Sequence, residues 1–227
     1  IGIIAMAISI LPLLQVGGMQ LFRMESSDTS DKVMPRAAQI VTAIAVIYVG
    51  LTLLCALIYW VFGMTGFDAV AHAMTTIATG GFSTHDASLG FFGDARIDMT
   101  ATCFMLIGSL PFVLYLQVIR GRPAGLLRDS QVRWFLVIVA LGVGSVTLWL
   151  LRFEHNDIPA ALQLAAFNVV SVITGTGYST VDFSAWGSFP LALLFFLMFV
   201  GGCAGSTTCG IKVFRFQVLY ATARCQM

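Results

Sequence analysis

Two short strings hold the residues best suited to chemistry: Thr79-Gly80-Gly81-Phe82 and Gly175-Thr176-Gly177-Tyr178. Glycine reaches backbone angles closed to other residues, so successive carbonyls in such a string can turn toward one axis. Carbonyl oxygens held in that way can replace the hydration shell of potassium. Ala78 precedes the first string and Thr174 the second, each at the end of a short apolar segment. If helical, that segment points about half a negative charge, from its unpaired terminal carbonyls, toward a cation. The candidate coordinating set is therefore Ala78, Thr79, Gly80, Gly81 and Phe82 together with Thr174, Gly175, Thr176, Gly177 and Tyr178. The aromatic residue of each string is expected to wedge its strand against its own pore helix. Asp86 and Asp182 follow, where carboxylates at an outer mouth would raise the local cation concentration. A helix cap would explain either aspartate equally well.

The two strings are copies. Gly81-Phe82-Ser83-Thr84-His85-Asp86 aligns with Gly177-Tyr178-Ser179-Thr180-Val181-Asp182 without a gap, and the same register pairs Ile77 with Ile173, His72 with Asn168 and Ala69 with Ala165. A lone glycine pair would suit close packing of membrane helices just as well. Two copies in matching positions favour the ion-coordinating reading.

The elements that position these strings belong to a bilayer. Of 227 residues, 58% are hydrophobic and 10% charged, with a mean hydropathy of +0.91, whereas soluble domains carry about 25% charged residues. Lys and Arg number 12 against 11 Asp and Glu, so no field argues for nucleic acid. Stretches 40–62, 97–119 and 134–151, and 189–213 interrupted by glycine, are predicted to cross the membrane, and 1–16 reads as part of another, since a helix needs roughly 20 apolar residues to span. Arg23, Lys32 and Arg36 mark one cytoplasmic loop and Arg120, Arg122, Arg128 and Arg133 a second. Segments 63–96 and 152–188 then face outward, and their apolar cores are too short to span, which predicts re-entrant helices. Capping signals stand at Asp68 in one and at Asn156-Asp157, with Pro159, in the other.

The expected fold is an all-α membrane protein of repeated units, each a transmembrane helix, a re-entrant pore helix with a filter loop, and a transmembrane helix, as in potassium channels. Residues 1–38 would be the end of one repeat and a cytoplasmic loop, 39–133 the next repeat, and 134–227 the one after. The apolar start without a basic region or cleavage site reads as a fragment of a longer protein.

Inside the last stretch, Gly201-Gly202-Cys203-Ala204-Gly205-Ser206-Thr207-Thr208-Cys209-Gly210, followed by Lys212, reads as an unwound loop at membrane depth. Below a filter, such a loop would obstruct the ion path and open on a signal, its small residues letting it move at low steric cost. A small-residue helix interface is the alternative. Cys203 and Cys209 lack the further thiol or imidazole partners of a soft-metal site, and all five cysteines read as free thiols. His72 is the only histidine inside an apolar run and is expected to be satisfied by a neighbour, while His85 and His155 sit in the outer segments. Without paired aspartates, a zinc motif or an activated serine beside His72, an intramembrane enzyme is excluded.

The run from Thr76-Ile77-Ala78-Thr79-Gly80-Gly81-Phe82 through Ser83-Thr84-His85-Asp86-Ala87-Ser88, with Gly201 to Thr207 and Gly210-Ile211-Lys212, resembles the TrkH family of bacterial Trk potassium uptake systems. Val16-Gly17-Gly18-Met19-Gln20 and Pro35-Arg36 extend the likeness. The resemblance implies four such units around one pore, a homodimer, a cytoplasmic nucleotide-binding regulatory subunit and residence among the lipids of the bacterial inner membrane. It implies potassium as cargo and no cofactor. Gly81 and Gly177 would be the filter glycines, with Thr79, Gly80, Gly175 and Thr176 supplying neighbouring carbonyls. Serine in place of a filter glycine would have pointed to sodium. Relatives usually carry glycines where this chain has Thr208 and Cys209. A less selective potassium and sodium transporter of the same superfamily, or a non-conducting scaffold, are the competing expectations.

Overall fold

The computed structural model describes residues 37–154 and 157–226. Segment 1–36 with Arg23, Lys32 and Arg36, and His155 and Asn156, lie outside the described residues. Among the described residues the regular structure is helical, with one isolated parallel bridge between Val200 and Ile211. Helix α1 (Ala37–Val61) and the short α2 (Gly66–Ile77) open the order, followed by α3 (Ala95–Gly108) and α4 (Phe112–Ile119). A small helix α5 (Ala124–Arg128) leads into α6 (Ser130–Phe153) and the second short helix α7 (Ile158–Ile173). Helices α8 (Ser188–Leu197) and α9 (Val213–Gln226) close it.

Residues 41–61 of α1 and the 24-residue helix α6 are long enough and, over most of their length, apolar enough to cross a bilayer. Each packs against the short helix that follows it, α1 on α2 and α6 on α7. The short helices turn matching faces inward: Ala69, Ala73 and Ile77 on α2, and Ala165, Val169 and Ile173 on α7, are all buried. A spacing of four keeps each trio on one side of its helix, and the alanines allow close approach. Helix α3 packs on both α2 and α7 and so joins the two copies.

Two expectations are corrected here. The stretch 97–119 is not one straight span: α3 and α4 meet at an angle of 96° across the break 109–111. Pro111 has no amide hydrogen and its ring obstructs the preceding turn, and apolar composition alone is blind to that. The stretch 189–213 divides into α8, an irregular segment and the start of α9, as its glycine interruption predicts. The cap of α2 is Thr65, whose hydroxyl oxygen accepts from the Asp68 amide at 3.2 Å. Asp68 stands three residues inside, at the position of a capping-box acid, but its carboxylate accepts from the Thr65 hydroxyl at 2.7 Å. Asp157 stands at the N-cap position of α7 with Pro159 in the first turn, where the spacing predicts them, but the Asp157 side chain makes no cap hydrogen bond.

Candidate functional site

Each short helix ends in the same way. Thr79 donates its amide to Thr76 O at 3.1 Å, and its counterpart Gly175 donates to Val172 O at 3.0 Å. Gly80 donates to Thr75 O at 2.8 Å, and Thr176 to Ser171 O at 3.0 Å. A side-chain hydroxyl then clamps the carbonyl of the aromatic: Thr75 Oγ1 donates to Phe82 O at 2.8 Å, and Ser171 Oγ to Tyr178 O at 2.6 Å. Thr79 and Gly175 have φ of 50° and 68°, and Gly81 and Gly177 have 66° and 83°. Both strands therefore take left-handed steps at alternate residues. Thr79 is strained there, because a β-branched residue disfavours that region.

The strands touch. A Cβ on Gly81 would lie 1.8 Å from the Thr176 carbonyl oxygen, whereas one on Gly177 would meet open space. Beyond the strings, Gly90 donates to Ser179 O at 3.2 Å and the Ser179 amide to Ser88 Oγ at 3.3 Å, which joins the two exits. Ala78 and Thr174 form the helix C-caps, the first exposed and the second buried with its hydroxyl 2.7 Å from that of Thr176.

The aromatics differ, which corrects the expected wedge. Tyr178 is buried with its hydroxyl on the other copy's helix α2, 3.1 Å from His72 O and 3.4 Å from Thr76 Oγ1. Phe82 is 77% exposed. A strand leaving a helix end points its side chain toward the adjoining copy, and spacing within one copy does not reveal that neighbour. Asp182 caps the short 3-10 turn Phe183–Trp186, accepting from the Ser184 amide at 3.0 Å and hydroxyl at 2.6 Å. Those bonds hold its carboxyl below the ordinary aspartate range. Asp86 is exposed. His72 is satisfied as expected, by Asp68 O at 2.8 Å and Ser83 Oγ at 2.9 Å. His85 stacks on Phe91 at 3.7 Å, with Nε2 3.6 Å from Asp68 Oδ1.

The segment 201–210 is irregular and closes on itself, with Gly201 donating to Ile211 O at 2.9 Å and Ile211 to Phe199 O at 3.0 Å. It fills the bend between α3 and α4. Cys203 donates to Ser109 O at 3.1 Å, Thr207 to Gly108 O at 3.1 Å, and Phe112 to Gly205 O at 3.1 Å. Backbone groups freed by the bend are thereby satisfied, as the absence of water in a bilayer core demands. The loop also reaches both strings: Thr79 Oγ1 donates to Thr207 O at 3.0 Å, and a Cβ on Gly175 would lie 3.5 Å from that of Cys209. Lys212 Nζ donates to Thr208 O, to Thr208 Oγ1 at 3.2 Å and to Ser206 Oγ at 3.4 Å. Gly202 donates to Thr208 Oγ1 at 3.1 Å.

Low steric cost is not the reason for the first two glycines. A Cβ on Gly201 would come within 2.1 Å of Cys209 O, and one on Gly202 within 2.6 Å of Thr208 Oγ1 and 2.9 Å of Ser109 O. Close backbone contact requires them.

Sequence reasoning missed Thr75, Gln131 and the Gly108–Ser109 carbonyls. Thr75 shares its register with Ser171, so a hydroxyl in both copies was the available signal. Gln131, buried at the start of α6, accepts from the Ala204 amide at 3.1 Å. Its Leu variant leaves that amide unpaired at a cost of about 1–3 kcal/mol. The expected result is a lower unfolding temperature of the purified protein, read by thermal denaturation; an unchanged midpoint would contradict this role.

Residues 1–227 match the family model TrkH, described as a cation transport protein. The chain is 50% identical over its full length to the Trk system potassium uptake protein TrkI of Halomonas elongata, of which it covers 46%. It is 40% identical, over 96% of the chain, to the Trk system potassium uptake protein TrkH of Escherichia coli K12, again covering 46% of the relative. The crystal structure of the potassium transporter TrkH from Vibrio parahaemolyticus superposes with a TM-score of 0.83 at 37% identity, covering 99% of this chain and 46% of that one. The chain thus spans a little under half the length of these relatives, and over that half it belongs to the TrkH family of cation transport proteins.

Proposed function

We propose that this chain supplies two filter strands and an occluding loop to a protein that takes up potassium across the bacterial inner membrane. The observation that carries the reading is the contact of Gly81 with the Thr176 carbonyl, between two strands that take left-handed steps at equivalent positions. A strand alternating in handedness turns successive carbonyls to one side, whereas an extended strand turns them to opposite sides. Carbonyls so turned can replace the waters of a monovalent cation. The names of the relatives, Trk system potassium uptake proteins, support potassium as that cation. Potassium is cargo, with no cofactor and no chemical step.

The units are 39–133 and 134–227, with 1–38 closing a preceding one. Phe82 supports further units: at the position where Tyr178 is buried on α2 it stands exposed, as it would if a preceding pore helix received it. The segment 201–210, in contact with the starts of both strands, is the gate. Asp86 and Asp182 lie at the outer mouth. The family resemblance further suggests a homodimer and a cytoplasmic nucleotide-binding regulatory subunit.

The test is rubidium uptake in potassium-starved cells that lack their own uptake systems. Expression of the intact protein is expected to restore growth at low potassium and concentrative rubidium entry. A well-inserted protein that restores neither is a scaffold, and the transport reading then fails.

A further inference from the structure

One side-chain hydroxyl ties the two strands together. Thr75 Oγ1 donates to Phe82 O in the first strand at 2.8 Å and lies within hydrogen-bond reach of the Tyr178 hydroxyl from the second. Each hydroxyl has one proton. Thr75 Oγ1 also lies 3.1 Å from Ala71 O and 3.2 Å from His72 O, and the Tyr178 hydroxyl 3.1 Å from His72 O; with the Thr75 proton on Phe82 O, its shortest carbonyl contact, the Tyr178 proton bridges to Thr75 and the donor chain runs from Tyr178 through Thr75 to the Phe82 carbonyl. The Thr76 hydroxyl donates to His72 O at 2.7 Å, and Tyr59 OH, 3.0 Å away, supplies Thr76 in turn. Tyr59, Thr76 and Tyr178 are all buried, so water offers no substitute partner.

Tyr178 is held at both ends. Its carbonyl accepts from Ser171 of α7 at 2.6 Å, and its hydroxyl reaches α2. The residue is a crossbar of fixed length between the two short helices. The copies are unequal in this respect: α2 presents two hydroxyls, Thr75 and Thr76, where α7 has Ser171 and Val172. The helix that receives the tyrosine is the one carrying the extra hydroxyl.

We propose that Thr75 is a specificity-determining positioning residue, which sets the separation of the two strands by joining the Tyr178 hydroxyl to the Phe82 carbonyl. This rests on the filter reading above. Discrimination between cations by carbonyl oxygens depends on ligand spacing and on how firmly the ligands are held, and a supporting shell must hold such a site to about 0.5 Å.

The test measures rubidium uptake in competition with sodium, using the intact protein at matched membrane abundance. Tyr178→Phe is expected to reduce discrimination against sodium by roughly three- to tenfold, the range for one lost hydrogen bond. Thr75→Val should lower it at least as far, Thr75→Ser should restore it, and Tyr178→Phe should add nothing in the Thr75→Val background. If Tyr178→Phe does not accumulate, the Val and Ser variants of Thr75 carry the test: equal discrimination in the two overturns the proposal. So does unaltered discrimination in both Tyr178→Phe and Thr75→Val. Gly177→Ala separates the two levels. If it shifts discrimination while the hydroxyl variants do not, the filter stands and the crossbar falls; if it also shifts nothing, the filter reading itself fails.

Discussion

Gly81→Ala is expected to lower rubidium uptake by about 100-fold or more, equal to about 3 kcal/mol, while Gly177→Ala lowers it by only about tenfold. The two glycines are equivalent in the repeat and both left-handed, with φ of 66° and 83°. Backbone strain for a non-glycine residue, about 1–2 kcal/mol, is common to both variants. Steric surroundings separate them. At 81 the new methyl would sit 1.8 Å from the Thr176 carbonyl oxygen, and that atom is backbone, so it cannot rotate away. Either the first strand or the second must move, and both carry the proposed ion ligands. At 177 nothing stands within 4 Å of the new methyl. Uptake at matched membrane abundance reads the difference, and equal losses would show that the strands do not meet as described.

Deleting 202–209 is expected to remove folded protein from the membrane; it will not produce an open pore. The segment holds Gly108 O, Ser109 O and the Phe112 amide at the bend between α3 and α4. Three backbone groups left unpaired in a bilayer cost about 1–3 kcal/mol each, a sum comparable with the whole stability of a typical domain, about 5–15 kcal/mol. Membrane abundance and detergent-phase thermal stability should both collapse. Lys212→Met is the milder probe, because it removes the ammonium donor from the Thr208 carbonyl and hydroxyl while leaving the Gly202 bond to Thr208 and the backbone bonds to the bend in place. Its expected result is a raised resting uptake of rubidium. A deletion variant that accumulates normally would contradict the loop's part in satisfying the bend, and a Lys212→Met variant with unaltered resting uptake would contradict the idea that Lys212 holds the proposed gate closed.

How much was legible follows particular residues. The pairing of Gly81 with Gly177 needed only the ungapped alignment, and their shared left-handed geometry is what that register implies. The inward faces of α2 and α7 were readable from Ala69, Ala165, Ile77 and Ile173 for the same reason. The cap at Thr65 was within reach, since threonine three residues before aspartate is a capping pattern, but aspartate is itself a preferred cap, so type alone does not separate the two. The bend at 109–111 was hidden because hydropathy counts apolar residues without regard to direction, although Pro111 stood in plain view.

Composition and periodicity by themselves determined that this protein lies in a membrane, that it contains a duplicated pore-like unit, and which backbone segments are free to turn their carbonyls. Those are local properties, set by side-chain transfer energies and by the angles each residue allows. Only the tertiary structure decided which copy receives Tyr178, that Gly81 abuts Thr176, and that the loop 201–210 is held in the bend between α3 and α4. Each of these depends on the distance between atoms far apart in the chain. Close packing and the need to satisfy every buried polar group fix such distances only once the helices have met.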